Sequence, residues 1–534
     1  MNFKFWVRKL LRITKLNRVI FYIQKIRRGI IPSRYIFFIY LLITIGFAGI
    51  LSIPAMHQDG KDISFLAALF TSASSFSDTG LVTVSTFDSW TMGGQAVIAI
   101  LILFGGFGVF TLKIFIFNYV LRLNSGVDER ELVNTERGTA NIGALSEVII
   151  TSITFLLIII FIGGIGFSLF FYYGTPSSTY AESLGSGYVG IVASGDLSMA
   201  FRQGFFHMIS TINNAGFDIL SSHSLAGYYQ NHVFLFFTIV IFVIGGIGYP
   251  VIYDLSRHFR IWIKKLRNTY FLKNKETYFP KIRFSLFTKL TLVTYFSVGI
   301  TMVILTIAFE ATSKNPNTIW NDPIYGTYED RVFNIIFNVA ATRSAGFQTA
   351  SFSSFTEAST ILGSIGMFIG ASPSSTGGGI RTTTFAIVLL SLWSKLTGRP
   401  SVRIFKRRIS DETVRMSFVV LALSVILVFL ISFIVASSLS VFGGQIPSQV
   451  SEAVNGNNTT IFTFNHVIFE VASAFGTTGL TPGITPLLNV PSQLAIIFTM
   501  FIGQLGISST VLAWRSSKRK ENAYEYLEEG ISIG

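Results

Sequence analysis

The chain of 534 residues contains no cysteine. Disulfides, thiolate metal sites and a cysteine nucleophile are thereby excluded together. Charge is scarce as well. Only 13% of residues are Asp, Glu, Lys or Arg, against roughly 25% in soluble domains. Half are apolar, 53 are Phe, and the mean hydropathy is +0.57. That balance excludes an ordinary soluble protein and fits a polytopic membrane protein. No HExxH, Walker or nucleophile pattern is present, and His57, His207, His223, His232, His258 and His466 show no metal-ligand spacing. A membrane enzyme therefore has no residues to work with. Acids are absent from residues 1–34, which hold ten bases. Ahead of a hydrophobic span such a block marks the cytoplasmic side and suits anionic lipid better than nucleic acid. No short apolar core with a small-residue cleavage site follows, so no removable signal peptide is expected.

What is present is apolar runs of bilayer-spanning length, about 20 residues. Eight are found, at 35–56, 91–112, 148–172, 233–253, 291–309, 359–393, 417–442 and 491–514. The sixth alone is interrupted, by "GASPSSTGGGIR" at 370–381. Within each consecutive pair lies an apolar segment too short to cross, at 63–77, 203–213, 332–342 and 461–475. These predict re-entrant helices. The loop after span 4 carries nine bases from Arg257 to Arg283 against Glu276, and the loop after span 6 seven from Lys395 to Arg415. The loop after span 2 is mixed, with Glu129, Glu131 and Glu136. The asymmetry places both termini in the cytoplasm, and puts the net charge of +14 on that side.

A glycine motif follows each short segment: "SFSDTGL" (75–81), "INNAGFD" (212–218), "TRSAGFQ" (342–348) and "FGTTGLT" (475–481). Their glycines, Gly80, Gly216, Gly346 and Gly479, are 136, 130 and 133 residues apart. A second glycine follows at Gly105, Gly245, Gly370 and Gly503. Because "FIGGIG" at 161–166 repeats that pattern in a first span, close helix packing is its preferred reading. Four units tile the chain, 35–123, 147–255, 285–396 and 416–516, between cytoplasmic tails 1–34 and 517–534. The expected fold is all-α, with four span–pore-helix–span repeats around a pseudo-fourfold pore.

The bends have a physical purpose. A re-entrant helix ending at mid-membrane points a partial negative charge at the axis. The strand leaving it can turn backbone carbonyls inward, and such backbone survives only where it lines a cavity or is buried. Glycine supplies backbone angles that a Cβ forbids. Four strands make a ring that can replace a cation's hydration shell. The expected ion-binding residues are Asp78, Thr79 and Gly80; Asn214, Ala215 and Gly216; Ser344, Ala345 and Gly346; and Thr477, Thr478 and Gly479.

With "HMISTINNAGFD" (207–218), "NVAATRSAGFQT" (338–349), "MFIGASPSSTGGGIRTTTF" (367–385), "FEVASAFGTTGL" (469–480) and the terminal "EEGISIG", the layout resembles the Trk/Ktr/HKT superfamily of potassium transporters. Within it, KtrB-type membrane subunits are most similar. The resemblance implies K⁺ uptake across the plasma membrane through a gated, channel-like pore, a homodimer, and a cytosolic KtrA-like ring that binds nucleotide. This chain itself would hold no cofactor, and Na⁺ stimulation is a property of such relatives. Serine at the position of Gly80 goes with Na⁺ passage in some of them, so Gly80 favours K⁺.

The helix-breaking, hydroxyl-rich interruption resembles the family's gating loop. Its expected gate residues are Gly370, Ser372, Pro373, Ser374, Ser375, Thr376, Gly377, Gly378, Gly379 and Arg381, with Gln504 on the last span. Two departures stand out. Gln504 replaces a usual Arg, which weakens an electrostatic barrier at the gate. Asp78 replaces a neutral residue, and either attracts cations or pairs with a base. Arg343 beside the third motif reads as structural, and Glu470 as a favourable acid at a helix start. A less selective K⁺/Na⁺ pore and a cation-coupled secondary transporter are the alternatives. The latter requires intramembrane ionisable residues and inverted halves, which the parallel repeats do not supply.

Overall fold

The computed structural model describes residues 31–116, 132–133, 145–185, 190–270, 282–438, 440–441, 444–445 and 463–510. Most of the basic amino-terminal block, Glu129, Glu131, Glu136, Glu276, the end of the eighth span and the carboxyl tail lie outside the described residues.

Four groups of four helices follow one another, with two further short helices, Thr86–Ser89 and Thr179–Leu184, in the loops of the first two groups. The first holds α1 (Pro32–Leu51), α2 (Phe65–Phe76), α3 (Met92–Phe107) and α4 (Val109–Phe115). The second holds α5 (Leu145–Tyr173), α6 (Leu197–Ile212), α7 (His232–Gly246) and α8 (Tyr249–Tyr270). Next come α9 (Leu286–Thr312), α10 (Tyr328–Ala341), α11 (Glu357–Ile369) and α12 (Thr382–Leu396). The last are α13 (Asp411–Ala436), α14 (Phe464–Gly476), α15 (Val490–Leu505) and α16 (Ile507–Thr510). Strand structure among the described residues is confined to two hairpins, Arg403–Ile404 with Arg407–Arg408 and Ser440–Val441 with Gly444–Gln445.

The leading helices α1, α5, α9 and α13 are long and apolar enough to cross a membrane. Only 22–28% of their apolar windows is buried, so their outer faces are left for lipid. The second helix of each group is the reverse case. At 12–16 residues it reaches only about 18–24 Å, and it lies inside, with residues 70–80 of the first group all buried. Side chains fix where these helices begin. Ser64, Asp196 and Thr327 accept the N–H groups of Ala67, Met199 and Asp330, which satisfies donors that a helix start leaves free.

The expectation that only the sixth span is interrupted is corrected. Every second span is broken. α3 and α4 meet at 82°, α7 and α8 at 106°, and α15 gives way to α16 at Gly506. Gly108, Gly248 and Gly506 have φ of 80°, 89° and 84°, which a right-handed helix cannot absorb. In the third group residues 370–381 take the place of that one glycine. Hydropathy runs on through each break, so the apolar runs hid it.

The groups close on themselves. α3 packs on α6, α7 on α10, α11 on α14, and α15 returns to α2. Each broken span thus backs the short helix of the next repeat, and the fourth completes the ring.

Candidate ion pathway

The short helices end in related turns. Beyond their last residues Asp78, Asn214, Ser344 and Thr477 have φ of 50°, 56°, 83° and 45°. In repeats 1, 2 and 4 the following N–H returns to the carbonyl five residues back. Thr79 bonds Ser74, Ala215 bonds Ser210 and Thr478 bonds Ser473, each at 2.9 Å. This is a Schellman closure, usually given to glycine; Asp and Asn tolerate the conformation better than most residues. Repeat 3 differs by closing with Ala345 N–H on Ala341 O at 2.9 Å. Left-handed Ser344 costs about 1–3 kcal/mol, offset in part by its hydroxyl donating to Gly476 O and Thr477 O at 3.3 and 3.2 Å.

Two residues further stand the motif glycines, with φ of 91°, 69°, 78° and 89°. A Cβ on Gly80 would lie 2.5 Å from Ala215 O. One on Gly216 would lie 3.2 Å from Ala345 O. On Gly346 it would strike Thr478 O, and on Gly479 it would strike Thr79 O. Each glycine therefore faces the carbonyl preceding the glycine of the next repeat, and the fourth faces the first. Among the described residues these four carbonyls accept no hydrogen bond. The donors are drawn away: Ser74 Oγ holds Gly80 N–H at 3.1 Å and Ser473 Oγ holds Gly479 N–H at 3.0 Å. A closed ring with its oxygens free, and with the Gly80 and Gly479 N–H groups tied back, can coordinate a dehydrated cation.

Behind the ring, Gly105, Gly245 and Gly503 face the carbonyls of Phe76, Ile212 and Phe475, where a side chain would force the broken spans off the short helices. Gly370 does not share this placement. It meets Gly378 O and Gly379, and so belongs to the interrupting loop.

That loop is bonded directly to the ring's supports. Thr376 Oγ1 and the Asn214 side chain lie 3.1 Å apart, and Gly378 N–H donates to Thr477 Oγ1 at 2.7 Å. Gly377 packs on Ser344 Oγ and Ala371. Ser372 N–H reaches Gly246 O at 3.2 Å, and Tyr249 N–H reaches Ser374 O at 2.9 Å. Pro373 O stands 2.5 Å from where a Cβ on Gly248 would be. Ser375 donates to Ser372 O at 2.6 Å. Arg381 bonds Gly377 O, and its second nitrogen donates to Gln504 O at 3.0 Å. Gly379 turns with φ 78°. Gln504 Nε2 in turn donates to Asp78 Oδ2 at 3.4 Å, and that oxygen lies 3.2 Å from the Cβ position of Gly105. Asp78 thus directs its carboxylate toward α15 and α3.

Other singled-out residues are placed as follows. Arg343 is buried, donates to Gly366 O at 3.2 Å and lies over the Tyr295 ring at 5.3 Å, pointing into the packing of α9 and α11. Glu470 is not at a helix start: α14 begins at Phe464. It is fully buried and takes hydrogen bonds from Thr481 (2.8 Å) and Thr485, tying the outgoing strand to the helix. His207 packs between Phe167, Phe234 and Phe347 and meets Thr238 Oγ1 at 3.2 Å. Among the described residues no His/Asp/Glu group could hold a metal ion. Missed in the sequence were the serine anchors. Their signal was a serine six residues before the motif glycine, which Ser74 and Ser473 share with Ser210; Ser210 holds no glycine N–H, and repeat 3 has Ala340 there.

A family model described as TrkH, cation transport protein, matches residues 33–525. The chain is 33% identical over 527 residues to the uncharacterized cation transporter MG322 of Mycoplasma genitalium, covering 89% of each. It is 32% identical over 510 residues to Ktr system potassium uptake protein D of Bacillus subtilis, covering 96% of this chain and 99% of that one. Identity to the potassium/sodium uptake protein NtpJ of Enterococcus hirae is 29% over 520 residues, with coverage of 96% and 99%. Among solved structures, the potassium transporter TrkH from Vibrio parahaemolyticus aligns with a TM-score of 0.58 at 15% identity, over 90% of this chain and 86% of that one, a likeness of fold.

Proposed function

The chain belongs to the TrkH family of cation transport proteins, transporters rather than enzymes, and from that premise we propose that it takes up K⁺ across the plasma membrane through a gated, channel-like pore. The observation carrying this reading is the closed ring in which each motif glycine faces the next repeat's free carbonyl. K⁺ sheds water and is held by those oxygens, while Gly80 keeps the first wall narrow enough to favour K⁺ over Na⁺. The loop 370–381 is the gate, and it opens when its bonds to Asn214, Thr477 and Gln504 are exchanged for water. A homodimer and a cytosolic, nucleotide-binding, KtrA-like ring complete the assembly. Nucleotide acts only through that ring, and this chain holds no cofactor. The termini face the cytoplasm, as does the basic hairpin at Arg403–Arg408.

A less selective K⁺/Na⁺ pore is favoured by one observation, the Asp78 carboxylate immediately behind the first wall. Both readings are tested by K⁺ and Na⁺ flux into liposomes, wild type beside Gly80→Ser, with and without the cytosolic ring. K⁺-selective flux that becomes Na⁺-permeable in the variant supports the first reading. Equal flux of both ions in the wild type supports the second. No flux even with the ring present sinks both.

A further inference from the structure

We infer that α8 is an interfacial helix that binds anionic phospholipid at the cytoplasmic leaflet and, through Tyr249, bears on the loop 370–381. Its sequence is divided lengthwise. Leu255, Phe259, Trp262, Ile263 and Leu266 recur at helical spacing and are 40%, 58%, 55%, 45% and 40% exposed. Arg257, Arg260, Lys264 and Arg267 form a second stripe on another face, Lys265 lies on the side of Asp254 and His258, and all five bases are exposed. The helix's single acid, Asp254, is engaged elsewhere. It accepts from Ser285 N–H at 3.2 Å and Thr288 Oγ1 at 2.5 Å.

Those two bonds also set the depth. Ser285 and Thr288 begin α9, which is long and apolar enough to cross the membrane, so α8 passes where that span enters. His258 follows on the same side, stacking on Phe284 at 4.0 Å and bonding Ile282 O at 3.2 Å. Direction agrees with depth. A bend of 106° from α7 leaves α8 only 16° from the membrane plane if α7 follows the normal. A helix lying flat at that level, apolar on one face and basic on another, seats in the headgroup boundary.

Charge selects the occupant. The five bases outnumber the acids near them, Asp254 and Glu147 of α5, which bonds Tyr253, and suit an anionic headgroup layer, at about 1 kcal/mol each. A second copy of the same face would meet like charge. A cytosolic protein lifting the helix off the bilayer would leave Trp262 and its neighbours without their apolar medium. The helix is also coupled to the loop: Tyr249 N–H donates to Ser374 O at 2.9 Å, Gly248 faces Pro373 O, and Tyr249 Oη donates to Gly106 O at 3.2 Å. The regulatory half of the inference rests on the proposed gating role of 370–381; the lipid half does not.

The absence of cysteine makes the test direct. Single-cysteine variants Ile263→Cys and Lys264→Cys are spin-labelled in the full-length protein, in phosphatidylcholine vesicles with and without phosphatidylglycerol. The expected result is a label at 263 that collides with dissolved oxygen and a label at 264 that collides with a water-soluble nickel chelate, with phosphatidylglycerol deepening the former. K⁺ flux should shift roughly fivefold on adding phosphatidylglycerol, a shift lost in Arg257→Gln/Arg260→Gln/Arg267→Gln. Nickel access at both positions overturns the inference by placing the helix in water. Shielding of both labels from both reagents overturns it in favour of a protein partner. Seated labels with lipid-indifferent flux overturn only the coupling to the loop. Seated labels with no flux in any lipid, cytosolic ring included, support the lipid site and count against the proposed function instead.

Discussion

At Gly479 one added carbon would strike the Thr79 carbonyl, contributed by the opposite end of the chain. Gly479→Ala is therefore expected to combine about 1–3 kcal/mol of left-handed strain with displacement of the Thr79 oxygen, which the proposed filter needs. Lower thermal stability and a K⁺/Na⁺ flux ratio reduced roughly tenfold should appear together; a ratio that is unchanged would remove this wall from the filter. The serines give a sharper contrast. Ser473 Oγ holds Gly479 N–H, whereas Ser210 Oγ, its counterpart in repeat 2, is buried without a partner. Ser473→Ala should cost about 1 kcal/mol and reduce selectivity, while Ser210→Ala should stay within about 0.5 kcal/mol of wild type. Thermal melts of the two purified variants decide it, and equal losses would refute the anchoring role. The glycines themselves were legible in the sequence, because only a residue lacking Cβ fits four phased bends. The left-handed Ser344 and Thr477 were not legible as such, since their conformation is imposed by contacts some 130 residues away, as in Ser344 Oγ to Thr477 O.

The loop 370–381 is held as an element by few strong contacts. Thr376 bridges Asn214 and Gly245 O, so Thr376→Val removes both bonds with little change of shape. Each lost bond weakens the closed loop by about 1 kcal/mol, and K⁺ leak without any cytosolic partner should rise roughly fivefold or more. Arg381→Gln removes the guanidinium that joins Gly377 O to Gln504 O and should act in the same direction. A leak that falls in both variants would mean that the loop conducts in this conformation. The sequence marked this loop through its proline, glycines and hydroxyl residues. It did not mark the breaks at Gly108, Gly248 and Gly506, because one glycine in a continuous apolar run looks like a packing residue until its φ is known.

For the molecule as a whole, closure runs through α15 on α2. A chain ending at residue 410 lacks α13–α16, leaves α2 without its backing and leaves Gly346 facing no carbonyl. Such a chain should yield aggregated protein after detergent extraction and no selective flux. Monodisperse truncated protein with K⁺ selectivity would show that three walls suffice, against the closed-ring account.

Number, phase and kind of repeat were determined by the sequence alone, since spacing of glycines and length of apolar runs are one-dimensional quantities set by bilayer thickness and by sterics at a single residue. Tertiary structure decided which carbonyl each glycine faces, that all four second spans break, that Glu470 ties a strand rather than starts a helix, and that Asp78 turns toward Gln504. These depend on the order in which four similar units close around one axis, and such contacts join residues as far apart as 78 and 504, beyond the reach of any local pattern.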